Sequence, residues 1–189
     1  MTVKDPVSGF SHLAGAMLSI VAMSVLVTVS AFHATPWHVV SFSIYGASMT
    51  MLYLVSSAYH IFPLQEKGTR VLKRLDHVMI FLMIAGTYTP FCLVPLRGAW
   101  GWSLFGVVWG IALLGVAFKL FFIYDHRWFS SVLYIVMGLI SVFAIYPIVK
   151  SIPAGGVAWL AAGGISYTVG AVIYAMKRPN PWPGVFGFH

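Results

Sequence analysis

Six long apolar runs, separated by short connectors, make up almost the whole sequence. A helix needs about 20 apolar residues to cross the ~30 Å hydrocarbon core of a bilayer, and these runs are close to that length. No connector is long enough to hold a soluble domain. The pattern therefore predicts an all-α, polytopic transmembrane helix bundle that forms a single membrane domain over residues 1–189. The predicted spans are Phe10–Phe32, Val39–Tyr59, Val78–Leu96, Gly101–Phe122, Phe129–Val149 and Val157–Met176.

The composition excludes a soluble globular protein. Hydrophobic residues account for 60% of the chain, charged residues for only 8%, and the mean hydropathy is +0.90. Soluble domains carry about 25% charged residues, so this chain has too little polar surface for water. The single cysteine, Cys92, excludes an intramolecular disulfide and a C-x-x-C motif, and we interpret it as an apolar core residue.

The net charge of +7 reflects membrane topology rather than a nucleic-acid surface. If the N-terminus is cytoplasmic, nine of the eleven Lys and Arg residues fall on the inner side, and only Arg97 and Lys150 fall outside. Short cytoplasmic loops carry an excess of positive residues. We therefore expect a multi-pass protein of the plasma (inner) membrane with its N-terminus in the cytoplasm. No nucleic-acid partner is expected, and the short loops suggest no soluble one.

Small residues recur at helix-packing spacing in two of the predicted spans. Such residues allow helix backbones to approach closely, and they carry no chemistry of their own. We expect close helix contacts at these positions, which are Gly106, Gly110 and Gly115 in the fourth span and Gly163, Gly164 and Gly170 in the sixth.

Polar residues from distant parts of the sequence converge on one side of the membrane. Ser56 and His60 share a helical face at i and i+4 near the end of the second span. Asp76 borders the third span more closely than any other acid borders a span, and the topology returns His189 to the same side. Polar groups kept at membrane depth indicate a functional site, and imidazoles from different helices are typical zinc ligands.

A structural alternative stays open for these residues. His60 would then be an interfacial side chain with a hydrated tip, and Asp76 would pair with Lys73 at i and i+3. The remaining histidines at span edges or in loops are interpreted as interfacial or solvated: His12, His33, His38 and His126.

Four motifs in order closely resemble the hemolysin III family, the bacterial branch of the progestin and adipoQ receptor (PAQR) superfamily. They are SSAYHIFP at 56–63, RLDHVMIF at 74–81, IAGTYTPF at 84–91, and KRPNPWP at 177–183 followed by FH at 188–189. The resemblance implies a seven-helix bundle, of which this sequence holds six complete spans and the start of a seventh.

The resemblance also implies a zinc ion near the cytoplasmic face. Its ligands would be His60 and His189, the latter matching the first His of the family's H-x-x-x-H, and Ser56 and Asp76 would lie beside the metal. The second His of that motif would fall four residues beyond His189, after the last residue given. We expect helix seven to continue there; the alternative is a family member with an incomplete site.

Three functions are compatible with this resemblance. The first is a ceramidase-like, zinc-dependent hydrolase of an amide or ester in a membrane lipid, with Asp76 as general base or water holder and Ser56 as a hydrogen-bond donor. The second is a lipid-sensing, receptor-like protein with structural zinc. The third is the cytolysin that the family name suggests, which six apolar spans disfavour because a secreted pore former must first be soluble. In each case the expected partners are membrane lipids.

Overall fold

The chain folds into six consecutive α-helices. The computed structural model describes residues 3–121, 127–180 and 182, and it leaves out the side chains at 127–129, 171, 174 and 175. The helices are α1 Pro6–His33, α2 Pro36–Ile61, α3 Glu66–Leu93, α4 Ala99–Phe121, α5 Arg127–Ser151 and α6 Ala154–Met176. Each predicted span falls on one of them, so the predicted all-α helical class is confirmed.

Five of the helices are long and apolar enough to cross a membrane, namely α1 to α5. The sixth helix, Ala154–Met176, has 23 residues. The side chains at positions 171, 174 and 175 of this helix lie outside the described part of the structure. Large apolar side chains point outward along these helices; Leu18, for example, is 70% exposed and Phe143 79%. An outer surface of this kind is solvated by lipid, because water would make its exposure costly.

Local sequence explains where α1 and α2 begin and where α2 ends. Pro6 and Pro36 stand at the first positions of α1 and α2, where a missing backbone N–H costs nothing. After α2, Phe62 is extended and precedes Pro63, which prevents the helix from continuing.

The third helix begins earlier than predicted, at Glu66 instead of Val78. Its first turns are charged, and Lys, Arg, Leu and Glu all favour helix. Glu66 and Arg70 also form an exposed i, i+4 ion pair at 3.7 Å. The hydropathy pattern finds only the part of a helix that lies in hydrocarbon, so it missed this polar extension.

The third helix is the centre of the bundle, because it contacts α2, α4 and α5. On its α4 and α5 side, Phe81 and Met137 are fully buried in one apolar cluster. Polar bonds reinforce the same contacts: the Tyr88 hydroxyl donates to the Met137 carbonyl at 2.7 Å, and the Tyr134 hydroxyl donates to the His77 carbonyl at 2.9 Å. A second cluster joins α5 to α6 through Ala144, Ile148 and Leu160.

The glycine prediction holds at one position and fails at two in α4. A side chain on Gly115 would collide with the Phe81 ring, so α3 and α4 are in close contact there. Gly106 and Gly110, by contrast, face open space within the described part of the chain, as do the predicted glycines of α6.

Antiparallel neighbours place the start of α1, the end of α2 and the start of α3 at one end of the bundle, which we name the amino end. This is the end where the predicted site residues of α2 and α3 lie.

Candidate functional site

His60 lies in the last turn of α2 and is held by the residue that precedes α1. Its Nδ1 is 3.0 Å from Oδ2 of Asp5, and only 13% of the His60 side chain is exposed. The backbone N–H of Asp5 also donates to the carbonyl of His60 at 2.9 Å. The start of α1 and the end of α2 are therefore joined at this point by both a main-chain and a side-chain bond.

Ser56 lies one turn earlier in α2 and is bonded to the same neighbouring helix. Its Oγ is 2.9 Å from Nδ1 of His12, and the residue is buried. A hydroxyl offers one donor and two acceptor positions, so this contact leaves the oxygen able to make a further hydrogen bond.

The rings of His12 and His60 lie side by side. Their centroids are 5.9 Å apart with the planes nearly perpendicular, and the Tyr59 ring lies 4.9 Å from that of His60. The Lys4 ammonium sits 3.8 Å from the centre of the Tyr59 ring. The His12 and Tyr59 rings thus lie beside His60, and the Lys4 ammonium lies over the Tyr59 ring.

Asp76 approaches the cluster from α3. Its side chain is half-buried, and it interacts electrostatically with His12. The next residue, His77, uses its Nδ1 to donate to the Lys73 carbonyl at 2.6 Å. Three helices therefore contribute ionisable or hydroxyl side chains to the amino end.

Close packing between α1 and α2 fixes the register of these contacts. The Ser57 hydroxyl donates to the carbonyl of Gly9 at 2.9 Å, and both residues are buried. A Cβ on Gly9 would lie only 2.6 Å from Cγ1 of Ile61, so only glycine allows this approach without displacement. The small residue lets the N-terminal turns of α1 lie directly along the last turn of α2.

The described structure brings together some, but not all, of the predicted site residues. Ser56 and His60 lie together as their spacing predicts, and Asp76 reaches the same end of the bundle. The alternative Asp76–Lys73 ion pair is absent from the described residues, in which Arg70 pairs with Glu66 and Asp5 contacts the His60 imidazole. His189 lies outside the described residues, as does the loop histidine His126.

Two residues of the cluster were missed by the sequence analysis. His12 was interpreted as interfacial or solvated, but it is half-buried and bonded to Ser56. Asp5 was overlooked as an acid beside a span, although it directly precedes the first residue of α1. The order of the spans could have identified both residues, because antiparallel packing brings the start of the first span, with Asp5 and His12, beside the end of the second span.

His60 suits the zinc ion that the resemblance implies. Metal-binding histidines almost always donate the N–H of their other nitrogen to a carboxylate, carbonyl or water, and Asp5 is such a carboxylate. No group of three His, Cys, Asp or Glu side chains within the described residues could hold a metal ion. The described part of the chain thus supplies one candidate ligand with a suitable partner, but not a complete ligand set.

Comparison with known proteins agrees with the motifs. The sequence matches the family described as "Haemolysin-III related" over residues 1–189. It is 39% identical to a protein named "Hemolysin-3 homolog" from Bacillus subtilis (strain 168), over 94% of this chain and 83% of the relative. It is 40% identical to "Hemolysin-3" from Bacillus cereus, over 93% of this chain and 80% of the relative.

A more distant relative supports the PAQR superfamily. The human "Monocyte to macrophage differentiation factor" is 23% identical over 73% of this chain and 58% of its own length. The family match covers the whole sequence, and the two bacterial relatives are aligned over most of their lengths. The chain therefore belongs to the haemolysin-III related family of integral membrane proteins.

Proposed function

We propose that the protein is a zinc-dependent hydrolase that acts on an amide or ester of a membrane lipid. The observation that supports this most directly is the His60–Asp5 pair, an imidazole held through Nδ1 by a carboxylate at 3.0 Å. Its position at the end of a membrane-spanning helix suits a linkage near a lipid headgroup. In this proposal His60 and His189 hold the metal.

The protein's own side chains have separate roles in this proposal. Asp76 holds the attacking water and accepts its proton, as a general base does. Ser56, whose hydroxyl is kept in place by His12, donates a hydrogen bond to the water or to the oxygen of the substrate carbonyl. Zinc, when bound, supplies Lewis acidity and lowers the pKa of water.

Release of fatty acid tests the activity. Zinc-loaded protein, expressed as its full natural chain, is mixed in detergent with ceramides and other lipid amides and esters. We expect release that is lost in His60→Ala and kept in His33→Ala. His33 is a suitable control because it is exposed at the other end of α1. Absence of release from every lipid, or full activity of His60→Ala, would refute the proposal.

We further propose that the amino end faces the cytoplasm at the plasma membrane. Charged residues support this, because the first turns of α3 carry Lys67, Arg70, Lys73 and Arg74, whereas the α3–α4 connection carries only Arg97. Thr69→Cys and Ala99→Cys, each in a Cys92→Ala background, test it with a membrane-impermeant maleimide, because Ala99 is exposed at the start of α4. In intact cells only Ala99→Cys is expected to react; labelling of Thr69→Cys instead would show that the orientation is the opposite one.

Membrane lysis is a second candidate, because two bacterial relatives carry the name hemolysin-3. Against it, five helices expose large apolar side chains and need a bilayer from the start. Liposomes loaded with a fluorescent dye decide between the candidates. Leakage above that caused by an unrelated multi-pass protein would favour lysis, and equal leakage would exclude it.

A further inference from the structure

We propose that Asp5 is a positioning residue for His60. Its carboxylate fixes the tautomer and the orientation of the imidazole, so that Nε2 is the nitrogen left free to bind. The inference deepens the proposed function and rests on it only for the identity of the bound ion. Asp5 and His60 both lie within the described residues, and their hydrogen bond requires no metal ion.

The chemistry of the two partners determines which nitrogen carries the proton. A carboxylate oxygen only accepts hydrogen bonds, so the Nδ1 of His60, at 3.0 Å from Oδ2 of Asp5, must be the donor. A neutral imidazole with a proton on Nδ1 has its lone pair on Nε2. This is the nitrogen that a metal ion would use.

The Asp5 carboxylate does not cap the helix that Asp5 precedes. Asp5 is the N-cap of α1, and an N-cap aspartate commonly accepts a hydrogen bond from a backbone N–H of the first helical turn. Here its side chain makes no such bond and contacts His60. The side chain therefore joins two helices and does not stabilise its own helix end.

The main chain around Asp5 holds the carboxylate in position. The Asp5 N–H donates to the His60 carbonyl, and the Asp5 carbonyl accepts a bond from the Gly9 N–H, both at 2.9 Å. Further along, the Ser57–Gly9 and Ser56–His12 bonds extend the same antiparallel contact. Asp5 is thus the outermost of a series of contacts that align α1 with the end of α2.

Nuclear magnetic resonance of ¹⁵N-labelled histidine tests the tautomer directly in the metal-free protein. The His60 signals are assigned as those that disappear in His60→Ala. In the wild type we expect the proton on Nδ1. In Asp5→Ala the acceptor is lost while the backbone bond at residue 5 is kept, so we expect the proton to move to Nε2. Asp5→Glu restores a carboxylate and should restore the Nδ1 proton.

Zinc affinity provides the second measurement, by competition with a chromophoric chelator. Loss of a carboxylate behind a ligating histidine typically weakens metal binding about 10- to 100-fold. We expect a loss of this size in Asp5→Ala, recovery in Asp5→Glu, and no change in Glu66→Ala. Glu66 is the matched control because it is an acid near the amino end whose side chain is 85% exposed.

The two measurements separate failure of this inference from failure of the proposed function. An unchanged tautomer in Asp5→Ala would overturn the role of Asp5, whether or not zinc binds. An Asp5-dependent tautomer in a wild type that binds no zinc would support Asp5 as the positioning residue and refute the zinc hydrolase. A melting temperature of Asp5→Ala equal to that of Glu66→Ala would confirm that the tautomer change reflects positioning and not unfolding.

Discussion

Glycines in α1, α2 and α3 lie against side chains, whereas most of those in α4, α5 and α6 face open space among the described residues. Gly46, for instance, contacts Met23, and Gly86 contacts Ser48. Side-chain hydrogen bonds, by contrast, occur in both regions: Asp5, His12 and Ser57 bond across the α1–α2 contact, and Tyr88 and Tyr134 bond between α3 and α5. The buried apolar clusters lie between α3 and the later helices and between α5 and α6.

This difference explains why the candidate site lies where it does. Small residues allow helices to approach closely, and close approach lets short polar side chains such as Ser56 and Asp5 reach across. Precise positioning of functional groups requires rigid elements of this kind. The first three helices therefore form a tightly packed unit that holds the described candidate site residues, and the later helices extend the bundle.

The largest expected effect concerns the site within the first three helices. Asp76→Asn keeps the size of the side chain but removes the proton acceptor, and general bases contribute about 10²- to 10⁴-fold to rate. We expect lipid hydrolysis to fall by a factor in this range. Glu66→Gln, on the same helix but exposed, should keep full activity. Equal activity of Asp76→Asn and wild type would remove Asp76 from the reaction.

A packing substitution compares the two regions directly. Leucine at Gly86 would meet Oγ and Cβ of Ser48 within 2.6 to 2.8 Å, and a short serine cannot move away. Overpacking of this kind costs about 1–3 kcal/mol, whereas a Cβ at Gly110 meets no atom of the described residues within 4 Å. The free energy of unfolding, measured in mixed detergent micelles, should therefore fall clearly for Gly86→Leu and hardly at all for Gly110→Leu. Equal losses would mean that the two regions are packed alike.

The smallest effect is expected where α3 joins the later helices. Tyr88→Phe removes the bond to the Met137 carbonyl, and such bonds between membrane helices contribute about 0.6 kcal/mol on average. Tyr146→Phe is the control, because Tyr146 is 67% exposed. The free energy of unfolding, measured in the same detergent, should be lower for Tyr88→Phe than for Tyr146→Phe by this small amount. A loss as large as that of Gly86→Leu would show that this bond stabilises the later helices as strongly as close packing stabilises the first three.

The helices themselves were largely predictable because lipid imposes a minimum apolar length on every span. The charged start of α3 was not, since hydropathy says nothing about helix outside the hydrocarbon. At the site, the i, i+4 spacing of Ser56 and His60 was visible along one helix. The roles of Asp5 and His12 depend on contacts between helices, and sequence spacing does not encode the register that Gly9 makes possible.

Zinc content per chain shows whether His60 belongs to a metal site. The protein is expressed as its full natural chain, purified in detergent and analysed for metal per chain, beside His60→Ala and His33→Ala. We expect about one zinc in the wild type and in His33→Ala, and none in His60→Ala. A wild type without zinc, or equal zinc in His60→Ala, would contradict it and leave His60 and Asp5 as a structural link between α1 and α2.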